Sequence, residues 1–196
     1  DADHRKKVHL EIHNSTLDVL KYLSKSAPTY TIQGNVGIPT PSQVREDYEE
    51  YGIRLPSTWE AIQKMPNVHL VKNRLRILEG LRVGFLEWFV DTNWVQEFKP
   101  NDYKERMKKA KKQTDKARRV LSRFNDLDIL VCHQPPYGYL DKVGAPAPMH
   151  WRGKHAGSKP ILKYIQQKQP PYVFCAHIHE GEGYKRIGKS EVYNLG

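Results

Sequence analysis

Apolar strands and helical stripes alternate along this 196-residue chain, and the alternation predicts an α/β fold. Two strands carry the clearest signal. Asp128-Ile-Leu-Val-Cys-His133 and Tyr172-Val-Phe-Cys-Ala-His-Ile-His179 are short runs rich in β-formers, and each delivers histidine at its C-terminal end. In α/β sheets, ligands bind beyond the C-terminal ends of the strands, which is where these imidazoles fall.

The chain opens with Asp-Ala-Asp-His-Arg-Lys-Lys, which carries neither a strand nor the apolar core of a signal peptide. From Leu10 to Ser26 the stripe Ile12, Leu17, Leu20 and Leu23 predicts a helix, ended by Pro28. Tyr30 to Gly34 reads as a short strand, with Gly34-Asn35-Val36-Gly37 as the turn after it. Thr40 or Ser42 caps a second helix with Pro41 near its first turn, and Ser57-Thr-Trp-Glu60 has capping-box spacing ahead of a helix to about Met65. Three extended runs follow, Val68 to Val71, Leu75 to Leu78 and Leu81 to Phe89. The last two are joined at Glu79-Gly80 as a hairpin, and Gly84 marks a bulge or a close approach.

Asp91 to Asn101 reads as an exposed loop carrying Trp94 and Phe98, and the aromatic stretch Trp88 to Trp94 reads as core, lid or subunit contact. Asp102 to Phe124 is the longest predicted helix. Pro135 to Ala156 is a long Pro- and Gly-rich loop of the kind that carries function. Ser158 opens a helix to about Lys168, Pro170-Pro171 breaks it, and Tyr184 to Ile187 with Glu191 to Leu195 form a closing hairpin. With no internal repeat or low-complexity linker, residues 1–196 are expected to form a single domain.

The hydrophobic share of 38% and mean hydropathy of -0.73 are those of a water-soluble chain, and no apolar run is long enough to span a membrane. With Cys132 and Cys175 expected as buried free thiols rather than a disulfide, a cytoplasmic protein without a membrane partner is expected. The net charge of +10 admits polyanions, nucleic acid included, as partners. Ten of those cations lie between Lys104 and Arg123, where they are expected to form the solvated face of one helix.

Residues i and i+2 of a strand share a face, so His177 and His179 are expected to reach a common centre, with His133 beside them. Asn35, also at a strand end, adds an amide oxygen. Imidazoles with a harder oxygen donor suit zinc, iron, manganese or nickel.

Several motifs in order resemble the calcineurin-like metallophosphoesterases, above all the small bacterial and archaeal members. They are Gly34-Asn35, Cys132-His133-Gln-Pro-Pro-Tyr-Gly-Tyr-Leu-Asp141, His155-Ala-Gly-Ser158, Ala176-His177-Ile-His179-Glu180 and Asn194-Leu-Gly196. The resemblance is strong from about Asp128 onward, fair around Thr29 to Gly37 and weak between. It implies a four-layer αββα sandwich of mixed sheets. It also implies hydrolysis of a phosphodiester or phosphomonoester by attack of a metal-bound hydroxide, with two divalent transition metals (Mn, Fe, Zn or Ni) and a phosphorylated small molecule or nucleotide as substrate. Asn35, His133 and His177 match ligands of the second metal, and His179 matches a ligand of the first. His155, Arg152 and Lys154 are candidates for contact with substrate.

The chain departs from the family pattern in three places. The Asp-x-His and Gly-Asp motifs of the family's first β-α-β unit are not in this sequence, so three expected ligand positions, the bridging carboxylate included, have no counterpart. Val36 and Gly37 stand where relatives carry a proton-donating His or an Asp, and Ala176 replaces the usual Gly. Two readings follow. In one, the sequence is part of an active enzyme whose first unit is supplied elsewhere. In the other, it is a degenerate member that holds at most one metal and serves as a scaffold or polyanion binder. The surviving histidines and Asn35 favour the first, since a scaffold has no need of them.

Overall fold

The computed structural model describes residues 2–36, 38–145 and 147–196. Asp1 and Gly37, which the sequence reading places in the charged N-terminus and in the turn after Asn35, lie outside the described residues, as does Pro146 of the long loop. The chain divides into two compact units, Asp1–Val71 and Lys72–Gly196.

The first unit holds helices α1 (Ala2–Ser24), α2 (Pro41–Tyr51) and α3 (Thr58–Gln63), with strands β1 (Thr29–Thr31) and β2 (Val68–Leu70) paired in parallel. Helix α1 begins well before the predicted Leu10. The upstream turn has no apolar stripe, but a distant contact supports it: Arg5 pairs with Asp47 of α2 at 2.6 Å and lies 4.2 Å from the Tyr51 ring centre. Thr40 is the cap of α2. It accepts from the Gln43 amide while the Gln43 side chain accepts from the Thr40 amide, a complete capping box. Ser57 caps α3 by accepting from the Glu60 amide at 3.2 Å. Leu20, Ile38, Ile62 and Val68 form the core of this unit.

The second unit is built on a sheet. Its elements are β3 (Arg74–Leu78), β4 (Leu81–Leu86), α4 (Thr92–Phe98), α5 (Tyr103–Ser122), β5 (Ile129–Cys132), α6 (Lys159–Lys168), β6 (Tyr172–Cys175), β7 (Gly183–Ile187) and β8 (Ser190–Asn194). Among the described residues the strands form a six-stranded sheet of order β3-β4-β5-β6-β8-β7. The inner strands β4, β5, β6 and β8 run parallel, and β3 and β7 close the two edges antiparallel. The hairpin expected at Glu79-Gly80 is present, with both φ angles positive (+50° and +86°), the geometry that suits the twist of paired strands.

Alternation along the strands buries Leu130, Cys132, Val173, Cys175 and Val192 in one cluster with Ala117, Val120 and Leu121 of α5 and Ile161 and Ile165 of α6. Each large side chain buried this way stabilises the fold by about 1.5–3 kcal/mol. Gly84 marks a close approach: a Cβ there would lie 2.5 Å from Leu127 Cδ1 and 3.0 Å from the Phe124 ring. Helices therefore flank sheets in both units, and the mixed α/β class expected from sequence holds.

Two local expectations change. Asp91 to Asn101 is not an exposed loop, because α4 occupies most of it and Val95 and Phe98 are buried. Asp91, itself 1% exposed, caps α4 by accepting from the Asn93 amide at 2.8 Å and is held by the Ser158 hydroxyl at 2.7 Å. The stretch around Phe89 and Val90 is core rather than lid. Helix α5 behaves as predicted. Ala110, Thr114, Ala117, Val120 and Leu121 are buried, while Lys104, Lys108, Lys109, Lys111, Lys112 and Lys116 face solvent. Cys132 and Cys175 are free and buried. Among the described residues no helix is long and apolar enough to cross a membrane.

Candidate metal centre

Neighbouring parallel strands β5 and β6 end side by side, with Leu130 opposite Val173 and Val131 opposite Phe174. The ladder runs one step further, where the Ala176 amide donates to the His133 carbonyl at 3.1 Å. This register sets His133 against His177. Their ring centres are 4.8 Å apart, and Nε2 of His133 lies 3.1 Å from Nδ1 of His177, so one ring nitrogen donates to the other.

Both rings are neutral over the physiological range. Burial first, then the nearby His177 and His179, lower the pKa of His133 to about 3, and burial followed by His179 lowers that of His177 to about 4. Neutral imidazoles whose nitrogens converge are metal ligands in waiting, since only the unprotonated ring has a lone pair to give.

The expectation that His177 and His179 extend from one face of a strand does not hold. Strand β6 stops at Cys175, His177 takes a left-handed backbone (φ +77°), and His179 begins a 3-10 turn, His179–Gly181, where it is exposed. A non-glycine residue in that region is strained and persists only when its surroundings impose it. Asn194, 2% exposed at the end of β8, supplies part of the restraint. Its amide nitrogen donates to the Ile178 carbonyl at 2.8 Å and to the Leu140 carbonyl at 3.0 Å, tying the histidine turn to the long loop.

That loop is organised by Asp141, 1% exposed. Its Oδ2 accepts from the Gly138 and Gly157 amides at 2.9 and 3.1 Å, and its Oδ1 accepts from His155 Nδ1 at 2.7 Å. Gly157 is required here, because a Cβ would lie 2.6 Å from Asp141 Oδ2. His155 is thereby fixed in tautomer and orientation while its ring stays part-exposed. Arg152 Nε donates to the Ala147 carbonyl at 2.9 Å, and Lys154 Nζ to the Glu97 carbonyl at 3.0 Å, so both of these candidates contact backbone. Asn35 belongs to the first unit, at an exposed bend.

Asp141, Asn194 and Gln134 are the site-building residues to which sequence reasoning gave no role. All three lie inside the motifs quoted above, and burial of a polar side chain is what sets them apart. Gln134, for instance, spans the Phe89 backbone, accepting from its amide at 3.4 Å and donating to its carbonyl at 2.7 Å.

Two metals were expected from the family, or one in this chain, which keeps three ligands of the second metal and one of the first. Among the described residues no cluster of three or more His, Cys, Asp and Glu side chains forms a cation cage. The His133–His177 pair brings two ring nitrogens to 3.1 Å and does not by itself make a two-metal centre.

The calcineurin-like phosphoesterase family matches residues 2–181, and the chain belongs to that family. UPF0046 protein K07C11.7 of Caenorhabditis elegans is 34% identical over 70 residues, 36% of this chain and 21% of that protein. The chain thus matches about a fifth of that relative's length. One solved crystal structure aligns over 96% of this chain and 67% of its own, at 16% identity and a TM-score of 0.48. The crystal structure of TT1561 of Thermus thermophilus aligns over 85% and 62%, at 16% identity and a TM-score of 0.38.

Proposed function

We propose that this chain takes part in metal-dependent hydrolysis of a phosphomonoester or phosphodiester. The observation that carries the reading is the neutral, half-buried pair of imidazoles meeting at 3.1 Å where two parallel strands end. His133 and His177 would hold a divalent cation, with His179 as a further donor. The role of Asn35 as amide ligand rests on the family motif alone. A bound cation of this kind supplies an acidified water and neutralises phosphoryl charge. The protein's own part is positioning. The strand register sets the two rings, Asn194 holds the turn that carries His177, and Asp141 keeps Nδ1 of His155 occupied so that Nε2 is offered to substrate. Manganese added with bis(4-nitrophenyl) phosphate and with 4-nitrophenyl phosphate tests the reading. Turnover lost in His133→Ala and His177→Ala supports it, and a metal-loaded protein inert on both esters contradicts it.

The exposed lysines of α5 favour a second reading, a scaffold that binds polyanions. Binding to nucleic acid that falls steeply with salt and survives both histidine substitutions would select it.

A further inference from the structure

A cavity of about 530 Å³ opens between α4, the start of α5 and the 3-10 turn Met149–Trp151. Trp94 and Trp151 line it, half-buried and nearly perpendicular at 82°, with ring centres 6.1 Å apart. Phe98, 4% exposed, packs against both rings and closes the corner from behind. Met149, next in the chain to the lining residue His150, is 82% exposed. Tryptophan and methionine left partly in solvent are the side chains in which protein-binding surfaces are enriched.

Charge is added from one side. Asp102 and Arg106 also line the cavity, joined as a bidentate pair at 3.0 and 2.9 Å, and the Arg106 guanidinium lies 5.7 Å from the Trp94 ring centre. Lys109, Lys112 and Lys116 follow Arg106 along α5 at spacings of three and four residues, which keeps them on one exposed flank. That flank runs out of the cavity for about 15 Å, the length of roughly four or five extended residues. Between Lys104 and Arg123 ten cations stand against Glu105 and Asp115, and Asp115 is paired with Arg118 at 3.0 Å. Sites for single-stranded nucleic acid place aromatic side chains under successive bases. Here the aromatic rings stand at one end only, and the lysine flank beyond them has none. One anchoring side chain followed by carboxylates matches that arrangement.

We propose that the corner and the α5 flank together dock an acidic peptide segment of a partner protein. Its aromatic anchor would rest against Trp94 and Trp151, and the carboxylates after it would meet Lys109, Lys112 and Lys116. The surface shares no residue with the candidate metal centre, so it stands apart from the phosphoesterase reading.

Fluorescence anisotropy on the full chain tests it with three labelled peptides, tryptophan followed by five glutamates, alanine followed by five glutamates, and tryptophan followed by five serines. The first is expected to bind at least about tenfold more tightly than either of the others, and to weaken as salt rises. Trp151→Ala should erase the preference for tryptophan over alanine. Lys109→Glu with Lys112→Glu, both at exposed positions, should erase the preference for glutamate over serine, and His133→Ala should change neither. Equal binding of the tryptophan and alanine peptides by the unaltered chain overturns the proposal even if Trp151→Ala does not fold. An unchanged glutamate preference in the double lysine variant overturns it as well. An oligothymidylate that binds more tightly than the first peptide, with no loss in a folded Trp151→Ala, would overturn it in favour of nucleic acid on the lysine flank alone.

Discussion

His133 and His177 meet where burial strips water from both rings, whereas His155 stands part-exposed with its Nδ1 against the Asp141 carboxylate. The first pair is kept neutral by desolvation and by its own neighbours, all of them imidazoles. The second is oriented by a buried charge that two backbone amides hold in place. Desolvation makes a lone-pair donor, which is what a cation needs. A carboxylate behind one nitrogen makes a directed donor or acceptor at the other, which is what a substrate oxygen needs. The same side chain is thus given two different characters by two environments a short stretch of chain apart.

Substitutions separate the two. His177→Ala or His133→Ala should lower manganese-dependent turnover by at least about 100-fold, more than the loss of a supporting partner costs a metal site. His155→Ala should lower turnover by about tenfold, the order of one charge-assisted contact, and leave metal binding intact. Equal losses in both groups, or loss of metal in His155→Ala, would erase the distinction. Asn194→Ala tests the restraint on the histidine turn. Loss of its two buried hydrogen bonds should cost about 1–3 kcal/mol in denaturant unfolding, and a stability equal to the parent chain would show that His177 is held by other means.

The pair should also be visible in the pH dependence of stability. Both rings have folded pKa values below the ordinary 6.5, at about 3 and about 4, so below 6.5 the unfolded chain binds protons that the native state refuses. Stability should be complete above pH 6.5 and should fall as the pH drops toward 4. Thermal melts of the His133→Ala, His177→Ala double variant should show a shallower decline over that window. An identical decline would mean that the pair is not desolvated.

The parts of this arrangement legible in sequence are those set by local pattern. Ile129–Cys132 and Tyr172–Cys175 are runs of β-formers, and their ends brought His133 and His177 together as expected. The reason given for the second strand was incomplete. Period-two spacing assumed that it continues through His179, yet it stops at Cys175. The left-handed turn that follows is tied down by Asn194, whose contact with Ile178 no local spacing reveals. Distance along the chain hid α4 in the same way, because its cap Asp91 is held by Ser158, 67 residues on. Arg5 gave no sign of helix until Asp47 stood opposite it. In each case the missing term is a polar contact between residues far apart in sequence, which apolar periodicity cannot register.

Direct titration of the chain with a divalent transition metal, followed by calorimetry and by the visible spectrum of cobalt(II), tests the proposed centre with no substrate in play. The account predicts saturable binding with nitrogen ligation, abolished by His133→Ala and by His177→Ala and unaffected by His155→Ala. Binding that persists in both of the first two variants, or no binding by the parent chain, would contradict it.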